Sequence, residues 1–174
     1  MGMRPARCYR TVKRAYTRQS QKKPRKGYVK GVPGSKLHTF EMGVKDTKFT
    51  AIIRLLSDNH VQIRHNALEA ARIASNKCLN DTVGPEGYFM KVLVYPHNVM
   101  RENALATGAG ADRYQSGMRL AFGRPVGLAA VVHKDQPIFE VKTTANKYRE
   151  VKVALKMAAS KLPTTCKIVM EQPA

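Results

Sequence analysis

Four arginines, Arg101, Arg113, Arg119 and Arg124, are interspersed with Gly108, Gly110, Gly117 and Gly123 in a stretch covering residues 95–127. Arginine presents a planar fork that matches phosphate oxygens and stacks on bases, and glycine lets a backbone come close to a ligand. The chemistry this pattern implies is contact with a nucleic acid. Two carboxylates stand among the cations, Glu102 and Asp112. They are expected to pair with Arg101 and Arg113, holding the free loop off stray polyanions. The competing reading is a solvated connector, although aperiodic loops this long inside a compact domain are usually functional or disordered.

Catalytic constellations fare poorly. Gly108-Ala109-Gly110 lacks the third glycine of a dinucleotide fingerprint, and no Gly-Lys-Ser/Thr completes a phosphate loop. His38, His60, His65, His97 and His133 are scattered, with no His-Glu-x-x-His pattern. Cys8, Cys78 and Cys166 are odd in number and form no Cys-x-x-Cys pair, so a zinc knuckle or disulfide framework is not expected and a reducing compartment fits. The sequence therefore predicts no enzyme, no cofactor, no metal and no small-molecule substrate.

Charge names the partner class. Against 12 Asp and Glu stand 31 Lys and Arg, a net +19 that exceeds what solubility needs and favours a polyanion. A membrane is not expected as that partner: apolar runs are far shorter than a span, no signal-peptide apolar region follows the start, and Ala6 stands where a myristoylation pattern requires Ser or Thr. No Trp and few aromatics argue against a sheet that stacks a row of bases. Residues 1–40 hold Arg4, Arg7, Arg10, Lys13, Arg14, Arg18, Lys22, Lys23, Arg25, Lys26, Lys30 and Lys36 and no carboxylate. With no apolar period, this segment reads as an extension that orders by threading along phosphates.

One α+β domain over residues 41–174 must position these groups, its mixed or antiparallel sheet carrying two amphipathic helices. Strands are predicted at 49–56, 88–95, 126–133, 138–142 and 166–170, and helices at 64–79 and 146–162. The turn at 134–137 is read as closing a hairpin between the strands on either side of it. Residues 98–125 are read as one long functional loop.

Five ordered stretches carry a family resemblance: MRPARCYR, GVPGSK, NALEAARIASNK, GADRYQSGMRLAFGRPVG and VALKMAASKLPTTCKIV. Together they resemble the universal large-subunit ribosomal protein sixteen family in its archaeal and eukaryotic L-ten-e form. The resemblance implies an α/β-hammerhead type of fold and a structural, non-catalytic place in the large subunit. It implies binding to large-subunit rRNA beside the aminoacyl-tRNA site, with neighbouring ribosomal proteins and tRNA as further partners and the cytoplasm as location. It also carries residues 101–117 over as the loop that reaches toward the peptidyl-transferase region. The chain ends soon after its last strand, as an archaeal member is expected to. The alternatives are a stand-alone RNA-binding or RNA-modifying protein, which lacks a nucleophile or cofactor constellation, and a DNA-binding regulator. The latter needs a base-reading helix, and residues 66–79 are mostly Ala and aliphatic.

Overall fold

In β2 (Ala51–Ser57) every second residue is buried, which is what a strand with one face on a core requires. The computed structural model describes residues 4–11, 29–45, 49–115 and 117–171. Around β2 lies a five-stranded antiparallel sheet that also contains β1 (Glu41–Gly43), β4 (Tyr88–Val92), β7 (Pro137–Thr143) and β8 (Cys166–Glu171), in the order β1-β4-β7-β2-β8. A second, three-stranded antiparallel sheet has the order β3-β6-β5, from β3 (Val61–Arg64), β5 (Asn98–Glu102) and β6 (Arg124–Val132).

Two helices fill the space against these sheets. In α1 (His65–Thr82) the residues Leu68, Ala71, Ser75 and Leu79 are buried, and in α2 (Tyr148–Ala159) Val151, Ala154, Leu155 and Ala158 are. Those spacings put one face of each helix inward. The helices pack on each other, α1 on β3, β4 and β6, and α2 on β2 and β8. One cluster, including Ile53, Leu55, Leu68, Met90, Phe139, Val141 and Leu155, joins all the layers. Truncating any of these large side chains to Ala costs about 2–5 kcal/mol.

The α+β class, the antiparallel sheet and the two helices are as expected from the sequence. Three details differ. The strands flanking residues 133–136 are not a hairpin: β6 pairs with β3 and β5, whereas β7 pairs with β2 and β4. Each is an interior strand with both edges taken, so the turn between them carries the chain from one sheet to the other. Arg64, read as the first residue of the helix at 64–79, instead ends β3, a strand over Val61–Arg64 that lies outside every expected strand and is too short to show alternation. The expected loop at 98–125 holds β5 and the start of β6, joined through Glu102↔Arg124, so the irregular stretch shrinks to residues 103–123. β5 is short and its register shifts between Met100 and Arg101, which leaves little alternation to read.

Two pieces of the basic extension lie on the domain. Leu37 is buried in the main cluster, and Tyr9 packs on Met100 and Ala129 of the three-stranded sheet. Two apolar side chains of the extension thus find cover on the domain. Each is a single apolar side chain among cations, too sparse to form a periodic signal.

Candidate nucleic-acid interface

The face of the three-stranded sheet formed by Gln62, Ala129, Asn98 and Met100 is covered by residues 4–11. These include a single 3-10 turn, Ala6–Cys8. The Gln62 amide donates to the Arg10 carbonyl at 2.9 Å, extending the β3 edge by one bond. The Arg64 guanidinium donates to the Arg4 carbonyl at 2.7 Å, and Asn98 Nδ2 donates to Gln62 Oε1 at 3.0 Å beneath.

This strap closes on Glu102, the last residue of β5. Arg4 Nε donates to Glu102 Oε1, and the Tyr9 hydroxyl donates to Glu102 Oε2 at 3.2 Å. The bond from Arg4 holds the Glu102 carboxyl below the usual range. Burial first, then the Glu102 charge, push the Tyr9 phenol up to about 12. Sequence reasoning paired Glu102 with Arg101; the structure pairs it with Arg4 instead. Arg101 turns the other way and donates to the Phe122 carbonyl at 3.1 Å, its guanidinium 3.5 Å above the Phe122 ring centre. Glu102 and Arg101 are neighbours on a strand and so point to opposite faces of the sheet, which a reading of adjacent charges does not register.

Beyond this neck the loop is braced from within. Gln115 Oε1 accepts the Ala106 amide at 2.8 Å, and Asn103 Nδ2 donates to the Arg119 carbonyl at 3.2 Å. A second 3-10 turn, Ala111–Arg113, follows Gly110. Gly123 closes the neck with φ +73°, and a Cβ there would lie 2.7 Å from the Glu102 carbonyl carbon. Gly108, Gly110 and Gly117 also have positive φ but face open space. Their freedom shapes the loop without packing it.

The loop's outward surface carries the cations. Arg113, Arg119 and Arg124 are exposed, and among the described residues no carboxylate lies within ion-pair reach of them. Tyr114, Met118 and Leu120 stand at least 78% exposed beside them. Sequence reasoning passed over these three, because an apolar residue in an aperiodic stretch has no face that marks it as uncovered.

Of the twelve cations expected in the extension, Arg4, Arg7, Arg10, Lys30 and Lys36 are described, and all are exposed. Lys13, Arg14, Arg18, Lys22, Lys23, Arg25 and Lys26 lie outside the described residues. Lys36 sits where the chain joins α1: its amide donates to His65 Nδ1 at 3.2 Å. Burial, then the Lys36 and Arg64 charges, lower the His65 pKa, so the ring stays neutral and accepts that bond.

The open face of the five-stranded sheet is electrostatically different. Glu41 meets Lys45 at 2.5 Å and Lys91 at 3.2 Å, while Arg54 bridges Glu140 at 2.8 Å and Glu171 at 2.6 Å. Arg54 and Lys91 face carboxylates on neighbouring strands, and Lys45, just past the end of β1, reaches back to Glu41. The excess positive charge is thus carried elsewhere, by the strap, the loop and α2.

A strongly basic α+β protein with exposed arginines around a braced loop, none of them facing a carboxylate among the described residues, fits the class of polyanion-binding proteins. The model of the Ribosomal protein L16p/L10e family matches residues 14–169. The chain is 46% identical over 171 residues to the large ribosomal subunit protein uL16 of Methanococcus maripaludis strain S2, covering 98% of this chain and 95% of the relative. It is 46% identical over 171 residues to that of Thermoplasma acidophilum, covering 98% and 93%, and 42% identical over 172 residues to that of Archaeoglobus fulgidus, covering 99% and 95%. The chain belongs to the ribosomal protein L16p/L10e family. It is a structural, non-enzymatic constituent of the large ribosomal subunit, of archaeal type, with rRNA and other ribosomal proteins as partners, and it resides with the ribosome in the cytoplasm. No helix among the described residues is long and apolar enough to cross a membrane.

Proposed function

We propose that the chain binds large-subunit rRNA next to the aminoacyl-tRNA site through its N-terminal cations and supports tRNA placement with the loop at residues 103–123. The supporting observation is the division of labour at the neck. Arg101 is spent internally on Phe122, and Arg4 on Glu102, whereas Arg113, Arg119 and Arg124 point outward with no described carboxylate against them. Charged forks beside exposed Tyr114 and Met118 suit an RNA surface, offering phosphate contact and stacking together. The braced neck limits how far the outer part can swing, so these groups meet their target already aimed.

Residues 101–117, with Gly108, Gly110 and Gly117, are the part that reaches the peptidyl-transferase region in this reading. No small molecule enters it: tRNA and rRNA are the ligands, and the protein supplies position without a reacting group. The test is to assemble large subunits with a chain lacking residues 104–111 and to follow incorporation, particle maturation and elongation rate. Normal incorporation with slow elongation or immature particles is the expected result. Normal elongation and maturation would reduce the loop to a connector.

A further inference from the structure

The outward face of α2 has a composition that stability alone does not account for. Arg149, Lys152, Val153, Lys156 and Met157 are all exposed. At 100° per residue they form one stripe, opposite the buried Val151, Ala154, Leu155 and Ala158. The stripe is about 12 Å long at about 1.5 Å per residue. Among the described residues no carboxylate is within ion-pair reach of its three cations, in contrast to the sheet, where Lys45, Arg54, Lys91 and Lys142 all have one.

Helix electrostatics explain only part of this. Lys156, in the last turn, is favoured by the negative end of the helix. Arg149 in the first turn, with Lys147 just before it, meets the positive end, where a cation is disfavoured and only Glu150 offsets it. Basicity is also not general to the helices. The exposed positions of α1 are Ala70, Ile73, Lys77, Asn80, Asp81 and Thr82, and Arg72 is paired with Glu69 at 2.5 Å.

We infer that the exposed face of α2 is a second rRNA-docking surface, separate from the N-terminal cations and the 103–123 loop, with Arg149, Lys152 and Lys156 on backbone phosphates. This rests on the functional reading above and adds a face to it. Charge complementarity commits the face to RNA. Val153 and Met157, interleaved with the cations, suit the wide, shallow minor groove of A-form RNA, where ribose surface lies beside phosphate. The compensated sheet face points away from the RNA.

The experiment measures binding of the full chain to a large-subunit rRNA transcript over a range of KCl concentrations. A triple variant, Arg149→Gln, Lys152→Gln and Lys156→Gln, is compared with a control of equal charge change on the sheet, Lys45→Gln, Lys91→Gln and Lys142→Gln. Each lost phosphate contact flattens the log–log slope by about 0.7–0.9, so the helix triple loses roughly two to three units and the control less than one. A readout independent of any variant is acetylation of the wild-type chain. Lys152 and Lys156 become protected when the transcript is bound, while Lys142 stays reactive. Equal slope changes in both triples, or no protection of Lys152 and Lys156, overturn the inference. So does a helix triple that lowers incorporation into subunits with its slope unchanged, which marks the face as a protein contact. A wild-type chain with no salt-dependent binding would sink the functional reading itself, and the docking face with it.

Discussion

The Tyr9 hydroxyl donates to Glu102 Oε2 at 3.2 Å, tying the N-terminal strap to the residue from which the 103–123 loop departs. Arg4 grips the other carboxylate oxygen, so one side chain joins a segment assigned to RNA anchoring with the base of a segment assigned to tRNA placement. Glu102→Gln removes the charge but keeps the shape. Amide exchange over residues 4–11 of the free protein should then accelerate severalfold with the melting temperature nearly unchanged, because Arg4 is half exposed and solvent screens the pair, leaving it little weight in global stability. Unaltered exchange would mean that Tyr9 packing alone holds the strap.

The Tyr9 phenol, pushed up to about 12, gives a second handle. Its folded pKa lies above the ordinary value near 10, so the folded state holds the proton longer and stability declines as pH rises between about 10 and 12. A phenolate absorbance titration should include a step near 12 from Tyr9, and Glu102→Gln should move that step downward. A Tyr9→Phe variant should lose that late step.

His65 works in the opposite sense. Its folded pKa is depressed below the unfolded value near 6.5, so the unfolded state takes up the proton first. Stability should be flat above about pH 6.5 and fall as pH drops below it, until the folded ring protonates too. Denaturant melts between pH 5 and 8 test this. Replacing His65 by Asn, which keeps an acceptor for the Lys36 amide, should flatten the profile over that range.

Gly123 and Gly108 separate two uses of positive φ. At Gly123 an added methyl carbon meets the Glu102 backbone at 2.7 Å on top of an unfavourable φ of +73°. Gly123→Ala should cost about 2–4 kcal/mol, since strain at such a φ alone is about 1–3 kcal/mol. Gly108→Ala, with open space around it, should cost only the φ part, about 1–3 kcal/mol. Equal melting temperatures for the two variants would show that the neck yields freely.

Deleting residues 104–111 should leave the fold intact, because closure entropy changes only by about 0.6 kcal/mol per doubling of loop length. Among the described residues the deletion removes the Ala106–Gln115 brace and the turn bonds that the Arg113, Tyr114 and Gln115 amides donate to Gly110 and Ala111, all of them within the loop. Thermal unfolding of the free chain should shift by no more than a few degrees. A large loss of stability would mean that the loop is part of the fold.

Charge and periodicity made much of this protein legible in the sequence alone. The inward stripe of α2, the alternation in β2 and the uncompensated cations are local patterns, written within a few residues of each other, and they were sufficient for the α+β class and a polyanion partner. Pairings between distant residues were not legible. That β6 and β7, four residues apart, belong to different sheets follows from which strands occupy their edges: β3 and β5, distant from each other along the chain, take the two edges of β6. Glu102 was visible as one of two acids among the arginines, but its partner was decided by strand parity and by a strap arriving from almost a hundred residues away. Exposure of Tyr114 and Met118, and of the α2 stripe, is likewise a property of what fails to cover them. An uncovered surface exists only after the rest of the chain has been placed, and so the tertiary structure alone could reveal it.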